Sequence, residues 1–423
     1  GKRPMYDMEQ IEETVILVGV DTGAGEAALR SLDELAELAR TAGAKVAGRL
    51  IQARESAHPV TYVGKGKLLE LKELIWETGA TGIICDDELT SAQLGALEAE
   101  LSCKVIDRTL LILDIFAARA VSGEGKIQVE LAQLRYRASR LTRLGRSLSR
   151  LGGGIGTRGP GEKKLEMDRR LIRERISRLK QELKDMEKHR ELIRGQRQQS
   201  GLKVAALVGY TSAGKSSIEN ALTDAGILED AMLFSTLDTT TRSLMLDNTQ
   251  EILLTDTVGF IRKLPHHLVE AFKSTLEEVK YADIIIHVVD ASNPQMDEQM
   301  YVVYDTLRLL GAAGKPVITL FNKQDRLETP VNQKDFQADH SIPTSAKTGQ
   351  GLDELKKALL EIIRKDMIYI ERMYDFSEAG MLQLIRSRGQ LLSEEYVPEG
   401  IAVKAYVPKD IYGKLITSRR PTG

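Results

Sequence analysis

One glycine-rich segment has the composition of a loop that binds phosphate. Residues 209–217 read Gly-Tyr-Thr-Ser-Ala-Gly-Lys-Ser-Ser and follow a largely apolar stretch at 202–208. Between a strand and a helix, such glycines let backbone N–H groups point at phosphates, the lysine reaches the outer phosphates, and the next hydroxyl ligates Mg²⁺. We therefore predict a nucleotide-phosphate site, with Ser216 on the metal, formed by Gly209, Tyr210, Thr211, Ser212, Ala213, Gly214, Lys215, Ser216 and Ser217.

A second motif, Asp256-Thr257-Val258-Gly259, follows a predicted strand at 251–255. The carboxylate of Asp256 can hold a magnesium-bound water, and the N–H group of Gly259 can sense a terminal phosphate. We predict that Lys215 and Gly259 act in hydrolysis and that Thr257 and Val258 contact the nucleotide.

Phe260 stands directly after this motif, where many phosphate-loop hydrolases have a glutamine that orients the attacking water. A phenylalanine side chain can neither donate nor accept a hydrogen bond. We therefore assign Phe260 to the catalytic region and predict slow intrinsic hydrolysis that a binding partner accelerates. The alternative is that Phe260 packs as a hydrophobic anchor while another side chain positions the water.

A third motif has the residue types that recognise guanine. Asn322-Lys323-Gln324-Asp325 follows a predicted strand at 317–321. A carboxylate at Asp325 can accept hydrogen bonds from the ring N–H and the exocyclic amine of guanine, and a mismatched base would leave it unpaired, at a cost of ~10⁴-fold or more. The backbone of Ser345-Ala346-Lys347 can meet the guanine carbonyl. These residues predict a domain that binds GTP and GDP, with Asn322, Lys323, Asp325, Ser345, Ala346 and Lys347 at the base.

The segment between the loop and Asp256 resembles a switch. It contains Phe234, Ser235, Thr236, Leu237 and Asp238, followed by three threonines and Arg242. One threonine should complete the magnesium shell when GTP is bound and thereby order the segment. Thr236 is our first choice and Thr241 the alternative.

The charge of the chain is unevenly distributed. Residues 126–200 hold 21 Lys and Arg against 9 Asp and Glu, a net charge of +12, and the remainder carries −14. No acid lies between Glu130 and Glu162, although arginines recur there. Repulsion among these positively charged arginines is relieved by a polyanionic partner, and the planar guanidinium group matches the geometry of phosphate. We predict RNA contacts by Arg143, Arg146, Arg150 and Arg158.

Hydrophobic periodicity divides the 423 residues into four predicted domains. Short apolar strands, among them 14–20, 46–51, 60–63, 82–85 and 104–106, alternate with helices and predict a parallel sheet. The chain is expected to be a multidomain α/β protein. Its parts are an N-terminal α/β domain (1–120), a basic helical hairpin arm with a glycine-rich loop (121–200, ending in a polar linker at 195–201), a P-loop GTPase domain with a doubly wound sheet (201–366) and a small α+β domain (367–423).

Composition excludes several classes of protein. Hydrophobic residues make up 42% and charged residues 28%, which is typical of globular domains. Only Cys85 and Cys103 occur, too few for a disulfide framework, and no apolar run reaches the ~18 residues of a membrane helix. We expect a cytoplasmic monomer. The lone His287, inside an apolar strand, is interpreted as a core residue rather than a catalyst.

The motifs together resemble one family. Thr61-Tyr-Val-Gly-Lys-Gly-Lys67, Glu130-Leu-Ala-Gln-Leu134, the glycine-rich stretch Ser149–Glu162, the phosphate loop and Asp256-Thr-Val-Gly-Phe-Ile-Arg262 are similar to those of the HflX ribosome-associated GTPases. The resemblance spans about residues 14–415. It implies a GTPase that binds the 50S ribosomal subunit and its 23S rRNA, splits stalled or idle 70S ribosomes, and uses Mg²⁺.

Four positions depart from the family pattern. Ser212 replaces an asparagine, Ser217 a threonine, Glu219 a phenylalanine and Thr239 a proline. The resemblance associates the asparagine with potassium, so Ser212 leaves potassium stimulation open. Gly214, Lys215 and Ser216 are retained, so nucleotide binding is still expected.

Two other functions compete with ribosome splitting. An ATP-driven remodeller of ribosomal RNA would use residues 14–120, which contain no phosphate loop. An RNA-binding GTPase switch without splitting activity would bind free RNA and use GTP only as a timer.

Overall fold

The structure is a computed structural model that describes residues 13–23, 25–151, 160–223, 240–247, 250–271, 273–330 and 332–417. The chain divides into two compact units. The first unit takes the residues up to Asp185 together with Leu264–Phe272, and the second takes Met186–Lys263 and the residues from Lys273 onward. The predicted four-domain division stays a prediction. Among the described residues, no helix has the length and apolar character of a transmembrane segment.

The first unit contains a parallel sheet with strand order β2-β1-β3-β4. Its elements are β1 (Thr14–Asp21), α1 (Ala27–Thr41), β2 (Lys45–Ala53), α2 (Lys65–Thr78), β3 (Gly82–Cys85), α3 (Ser91–Leu101), β4 (Lys104–Asp107) and α4 (Arg108–Arg119). The predicted parallel α/β arrangement is confirmed. Thr90 caps the N-terminus of α3 in a capping box. Its hydroxyl accepts a hydrogen bond from the backbone amide of Gln93, and the side-chain oxygen of Gln93 accepts one from the backbone amide of Thr90.

The strand predicted at 60–63 is wrong. His58 and Tyr62 exchange backbone hydrogen bonds of 2.9 and 3.0 Å across a tight turn. Tyr62 has a φ of 64°, a left-handed conformation that interrupts a strand. Its hydroxyl donates to Asp87 at 2.5 Å, a contact between distant parts of the chain that holds the turn.

Two long helices, α5 (Gly123–Leu151) and α6 (Pro160–Ser200), form the predicted arm. Leu131 of α5 packs against Leu179 and Leu183 of α6, and Arg175 donates to Glu130 at 2.9 and 3.1 Å. Residues 152–159 lie outside the described part of the chain.

The polar linker predicted at 195–201 is also wrong, because α6 continues to Ser200. Arg194 donates to Glu278 at 3.1 Å and stacks on Tyr281, contacts that fix the end of the helix within the second unit. Gly201 then ends the helix with a φ of +70°.

The second unit contains a six-stranded sheet with order β10-β9-β8-β5-β7-β6, parallel except for β6. Its elements are β5 (Val204–Gly209), α7 (Lys215–Thr223), β6 (Thr240–Met245), β7 (Glu251–Asp256), α9 (Lys273–Tyr281), β8 (Ile284–Asp290), α10 (Met296–Leu309), β9 (Val317–Asn322), β10 (His340–Pro343) and α11 (Leu352–Lys365). From β5, the chain adds strands to the sheet on both sides, β8 on one and β7 on the other. Sheets of this kind bind ligands in the crevice at the carboxyl ends of the strands where the direction of winding changes, here at β5, β7 and β9.

The short helix α8 (His266–Ala271) lies between β7 and α9 in sequence but packs with the first unit. It contacts α5, and its Leu268 side chain is buried. His267 lies 4.0 Å from Glu88 of the same unit.

The C-terminal part is an antiparallel sheet of order β11-β13-β12 covered by two helices. Its elements are β11 (Met367–Tyr374), α12 (Ala379–Arg388), β12 (Gln390–Val397), β13 (Gly400–Pro408) and α13 (Lys409–Ile416). Tyr374, Ile385, Ala405 and Leu415 are fully buried between the layers. The predicted small α+β region is confirmed.

Candidate nucleotide-binding site

The phosphate-loop motif lies between β5 and α7, as the sequence predicts. Gly209 ends the strand, and a Cβ atom there would lie 2.7 Å from the carbonyl oxygen of Val288. Gly214 has a φ of +97°, and a Cβ atom on it would lie 2.3 Å from the Asn322 side-chain nitrogen. Both positions therefore require glycine, and the loop stays close to the strands behind it.

Lys215 begins α7 and is buried at the carboxyl end of the sheet. Its ammonium group donates to the Asp256 carboxylate at 2.9 Å and to the carbonyl oxygen of Thr257. Thr257 in turn donates from its hydroxyl to Leu207 of β5 at 2.8 Å, and its amide donates to Asp256. The structure thus brings together the two motifs that the sequence separates by forty residues.

The second carboxylate oxygen of Asp256 is buried and has no hydrogen-bond partner among the described residues. The hydroxyl-bearing Ser216 is buried in the first turn of α7. Oxygen donors of this kind suit Mg²⁺, which keeps few protein ligands and takes phosphate oxygens and waters for the rest. Within the described residues, no group of three His, Cys, Asp or Glu side chains is placed to hold a metal alone.

Glu219 lies in the same region and was not predicted to belong to the site. Its side chain is 0% exposed, and Arg242 of β6 approaches one carboxylate oxygen to 3.3 Å. Burial, together with the nearby Asp256 carboxylate, raises the pKa of Glu219 to about 8. The sequence signal was its replacement of an apolar residue, but its partners come from distant strands.

The residues after Asp256 are joined to the phosphate loop through the backbone. The Thr211 amide donates to the Phe260 carbonyl at 2.7 Å, and the Phe260 amide donates to Gly209 at 2.9 Å. The Arg262 amide donates to the Tyr210 hydroxyl at 3.2 Å. A Cβ atom on Gly259 would lie 3.0 Å from the Thr211 backbone. Phe260 itself is 1% exposed, which matches the packing alternative for its side chain.

The guanine motif lies at the ends of β9 and β10. Asn322 donates to the Ala213 carbonyl at 3.1 Å and accepts from the Ala346 amide at 3.2 Å, so it joins the two loops. Lys323 donates to the Ser212 carbonyl at 2.8 Å. The Asp325 carboxylate accepts a hydrogen bond of 2.8 Å from the Ser345 hydroxyl. Lys347 is exposed beside them.

Other predicted residues have varied outcomes. Phe234, Ser235, Thr236, Leu237 and Asp238 lie outside the described residues. The alternative magnesium ligand, Thr241, lies on β6, where its hydroxyl contacts that of Thr255 at 3.2 Å. His287 is buried at an edge of the Tyr304 ring, as expected of a core residue.

The structure describes the backbone of three of the four predicted RNA contacts. Helix α5 includes Arg143, Arg146 and Arg150, but their side chains, and all of Arg158, are outside the described part. Arg140, from the same acid-free stretch, is buried and donates to Asp107 at 3.0 Å. This arginine is structural, and only those further along the arm stay candidates for RNA.

The fold and the site define a P-loop GTPase. Residues 204–323 match the family model described as 50S ribosome-binding GTPase, while residues 29–117 and 119–197 match the N-terminal and middle regions of GTP-binding GTPases. The chain belongs to the HflX family. It is 62% identical over 97% of its length to the GTPase HflX of Lacrimispora saccharolytica, covering 97% of that relative.

Two more distant HflX relatives give the same result. The GTPase HflX of Caldanaerobacter subterraneus is 47% identical, covering 97% of this chain and 95% of the relative, and that of Escherichia coli is 41% identical, covering 84% of each. A solved GTP-binding protein from Sulfolobus solfataricus in complex with GDP is 25% identical, covering 84% of this chain and 99% of that one, with a TM-score of 0.44.

Proposed function

We propose that this GTPase binds the 50S ribosomal subunit and splits stalled or idle 70S ribosomes, with hydrolysis gated by the ribosome. One observation carries the proposal. A helical hairpin with an acid-free arginine stretch precedes a GTPase region that matches a family described as ribosome-binding.

The arm supplies the contact with RNA. Arg143, Arg146, Arg150 and Arg158 neutralise phosphates of the 23S rRNA, and release of the counterions bound to that RNA drives association. Arg140 holds the base of the arm by its buried pair with Asp107. Arg140 therefore fixes one part of the arm to the N-terminal sheet. The arginines that follow it along the chain supply the positive charge for binding rRNA.

The loop residues Gly209, Tyr210, Thr211, Ser212, Ala213, Gly214 and Ser217 surround the phosphates of GTP. Lys215 changes partner on binding: it leaves Asp256 and the Thr257 carbonyl and reaches the outer phosphates. Because Lys215 is already buried beside the loop, little movement is needed. The Gly259 amide then senses the terminal phosphate, with Thr257 and Val258 beside it.

Guanine is recognised by the ends of β9 and β10. The Asp325 carboxylate accepts hydrogen bonds from the ring N–H and the exocyclic amine of guanine. The backbone N–H groups of Ser345, Ala346 and Lys347 donate to the guanine carbonyl. Asn322 and Lys323 act by fastening this loop to the phosphate loop, through their bonds to Ala213 and Ser212.

Ser216 and Asp256, the latter through water, are the described residues that would hold Mg²⁺, together with Thr236 of the switch. The buried, unpartnered oxygen of Asp256 fits such a cation. When bound, Mg²⁺ neutralises charge on the phosphates.

Hydrolysis is slow without the ribosome because Phe260 cannot orient water. Docking on the subunit orders residues 234–242 and 259–264 and thereby completes the site. The GTP-bound form persists until it meets a ribosome.

Sedimentation and light scattering test the function. The chain with a non-hydrolysable GTP analogue should pellet with purified 50S subunits more strongly than with naked 23S rRNA, and it should lower the light scattering of 70S ribosomes. Equal binding to naked RNA without splitting would favour the RNA-binding switch. RNA remodelling that requires ATP would favour the alternative enzyme.

A further inference from the structure

One edge of the sheet in the first unit lies open along β2. Among the residues that the structure describes, β2 pairs with β1 on one side and with no strand on the other. The strand is nine residues long and contains no proline, so it lacks two of the features by which proteins usually block an exposed edge. Its outer side therefore offers backbone hydrogen-bonding groups to an added strand.

The register identifies the backbone groups that point outward. The Arg54 amide donates to the Asp21 carbonyl at 2.9 Å, so it points towards β1. Residues 48–53 pair one to one with β1, without a bulge. Because inward and outward groups alternate along such a strand, Arg49 and Ile51 direct their N–H and C=O groups away from β1.

A groove of about 300 Å³ follows this edge. Arg49 and Ile51 of β2 form part of one wall, and Glu73, Leu74 and Glu77 of α2 form part of the other. Proteins that bind a peptide by strand addition obtain affinity from main-chain hydrogen bonds and specificity from pockets for alternate side chains. The β2 edge and the groove beside it supply both features.

The unpaired charge in the groove is negative. Its two basic residues each pair with an acid, Arg49 with Asp33 and Lys67 with Glu70. Glu73 and Glu77 are exposed and have no ion-pair partner within the described part of the chain. They lie four positions apart on α2, where like charges repel each other. Basic side chains placed beside them would relieve this repulsion.

The spacing of these two acids matches an extended chain. Helix α2 connects two parallel strands of one sheet, β2 and β3, so its axis runs roughly along the strands. Four residues of a helix rise about 6 Å, and two residues of a strand span about 6.7 Å. Alternate side chains of an added strand would therefore reach Glu73 and Glu77 in turn.

We propose that the β2 edge binds an extended, basic protein segment as an additional strand, with lysine or arginine side chains on Glu73 and Glu77. The proposal goes beyond the proposed function, which uses the arm and the GTP site. Nucleic acid is a poorer occupant than a basic peptide, because the unpaired charges of the groove repel phosphate.

The test uses the full-length protein and a fluorescent heptapeptide in which lysine or arginine alternates with threonine. Anisotropy should show binding of this peptide. The same peptide with alternate amides N-methylated cannot donate the hydrogen bonds of a strand, and it should bind about fivefold or more weakly. A peptide with glutamate in place of each basic residue should not bind.

Variants of the protein test each wall of the groove. Ile51→Pro removes an outward N–H and should weaken peptide binding about fivefold, whereas Ile51→Ala shortens the side chain, keeps the N–H and should bind like the wild type. Glu73→Gln combined with Glu77→Gln should weaken binding about fivefold and reduce its dependence on salt. Glu98→Gln, an exposed acid on α3 outside the groove, is the matched control.

Four outcomes would overturn the proposal. Undiminished binding of the N-methylated peptide excludes strand addition without any change to the protein, so this result does not depend on the folding of Ile51→Pro. Equal binding by the wild type and the double glutamine variant excludes Glu73 and Glu77. A dimer that forms without peptide and is lost in Ile51→Pro would assign the edge to a second copy of the chain. Binding of a single-stranded RNA oligonucleotide that is lost in Ile51→Pro would assign it to nucleic acid.

Discussion

The amide of Thr211 donates a 2.7 Å hydrogen bond to the carbonyl of Phe260. With the return bond from Phe260 to Gly209, the phosphate loop and the segment after Asp256 form a short parallel bridge. The two segments are therefore coupled through backbone hydrogen bonds, and a change at either one can be transmitted to the other.

Hydrolysis should respond to this bridge. We expect slow single-turnover hydrolysis by the free protein and faster hydrolysis with 50S subunits. Phe260→Ala should lose the stimulation and keep basal activity, because the bridge is made by backbone atoms but its order depends on packing of the ring. Equal wild-type rates with and without 50S subunits would refute gating.

A control for folding is needed, because removal of a buried phenylalanine side chain costs about 3–5 kcal/mol of stability. Phe260→Leu keeps most of the apolar volume. It should retain the stimulation if packing alone matters, and the two variants should be compared only where circular dichroism shows both folded.

Charge reversal on the arm should abolish binding to the ribosome. With Arg143, Arg146, Arg150 and Arg158 changed to Glu, affinity for 50S subunits is expected to vanish while GTP affinity stays unchanged. In the wild type, four phosphate contacts give a slope of roughly −3 to −4 for log affinity against log salt. Sedimentation at several salt concentrations measures both effects, and retained 50S affinity in the variant would exclude the arm.

Acid should destabilise the second unit through His287. Burial lowers its pKa from 6.5 to about 4, so between these values the unfolded chain binds the proton and the folded chain does not. Stability is therefore lost as pH falls from 6.5 towards 4, by up to about 3 kcal/mol at 1.36 kcal/mol per unit of pKa.

Hydrogen exchange of β8 at pH 6.5 and 4.5 measures this effect, after correction for the intrinsic pH dependence of exchange. The loss of protection should be smaller in His287→Leu, which cannot titrate, while β3 of the first unit serves as the internal reference. An equal loss in the variant and the wild type would assign the acid sensitivity to other groups.

Ser212 should make hydrolysis insensitive to potassium. It has a φ of +68°, a region that asparagine adopts more readily than serine, so Ser212→Asn should be tolerated. We expect equal wild-type rates in KCl and NaCl, and a faster rate in KCl for the variant. Potassium stimulation of the wild type would show that the asparagine is not required.

Much of the fold and site could be predicted because the signals are local. The strand Gly82–Cys85 matches the prediction at both ends, and Thr14–Asp21 differs from its prediction by one residue, because apolar runs fix both strands. The phosphate and guanine motifs occur where strands end, and a parallel sheet brings those ends to one edge.

The errors come from contacts between distant residues. Residues 60–63 are apolar enough for a strand, but the bond from Tyr62 to Asp87 holds a turn. Gly195 suggests a linker, but Arg194 and Glu278 keep the helix intact. Arg140 has the sequence setting of an RNA contact, and only its pair with Asp107 identifies it as structural.

The placement of α8 affects how the protein can be dissected. An expression fragment cut to residues 201–366 would keep Leu268 but lose α5, against which this helix packs. The same cut would remove Arg194 from Glu278. Turnover measured on such a fragment would report a catalytic segment that has lost two of its supports, so the intact chain is the proper reference for any rate assigned to this GTPase.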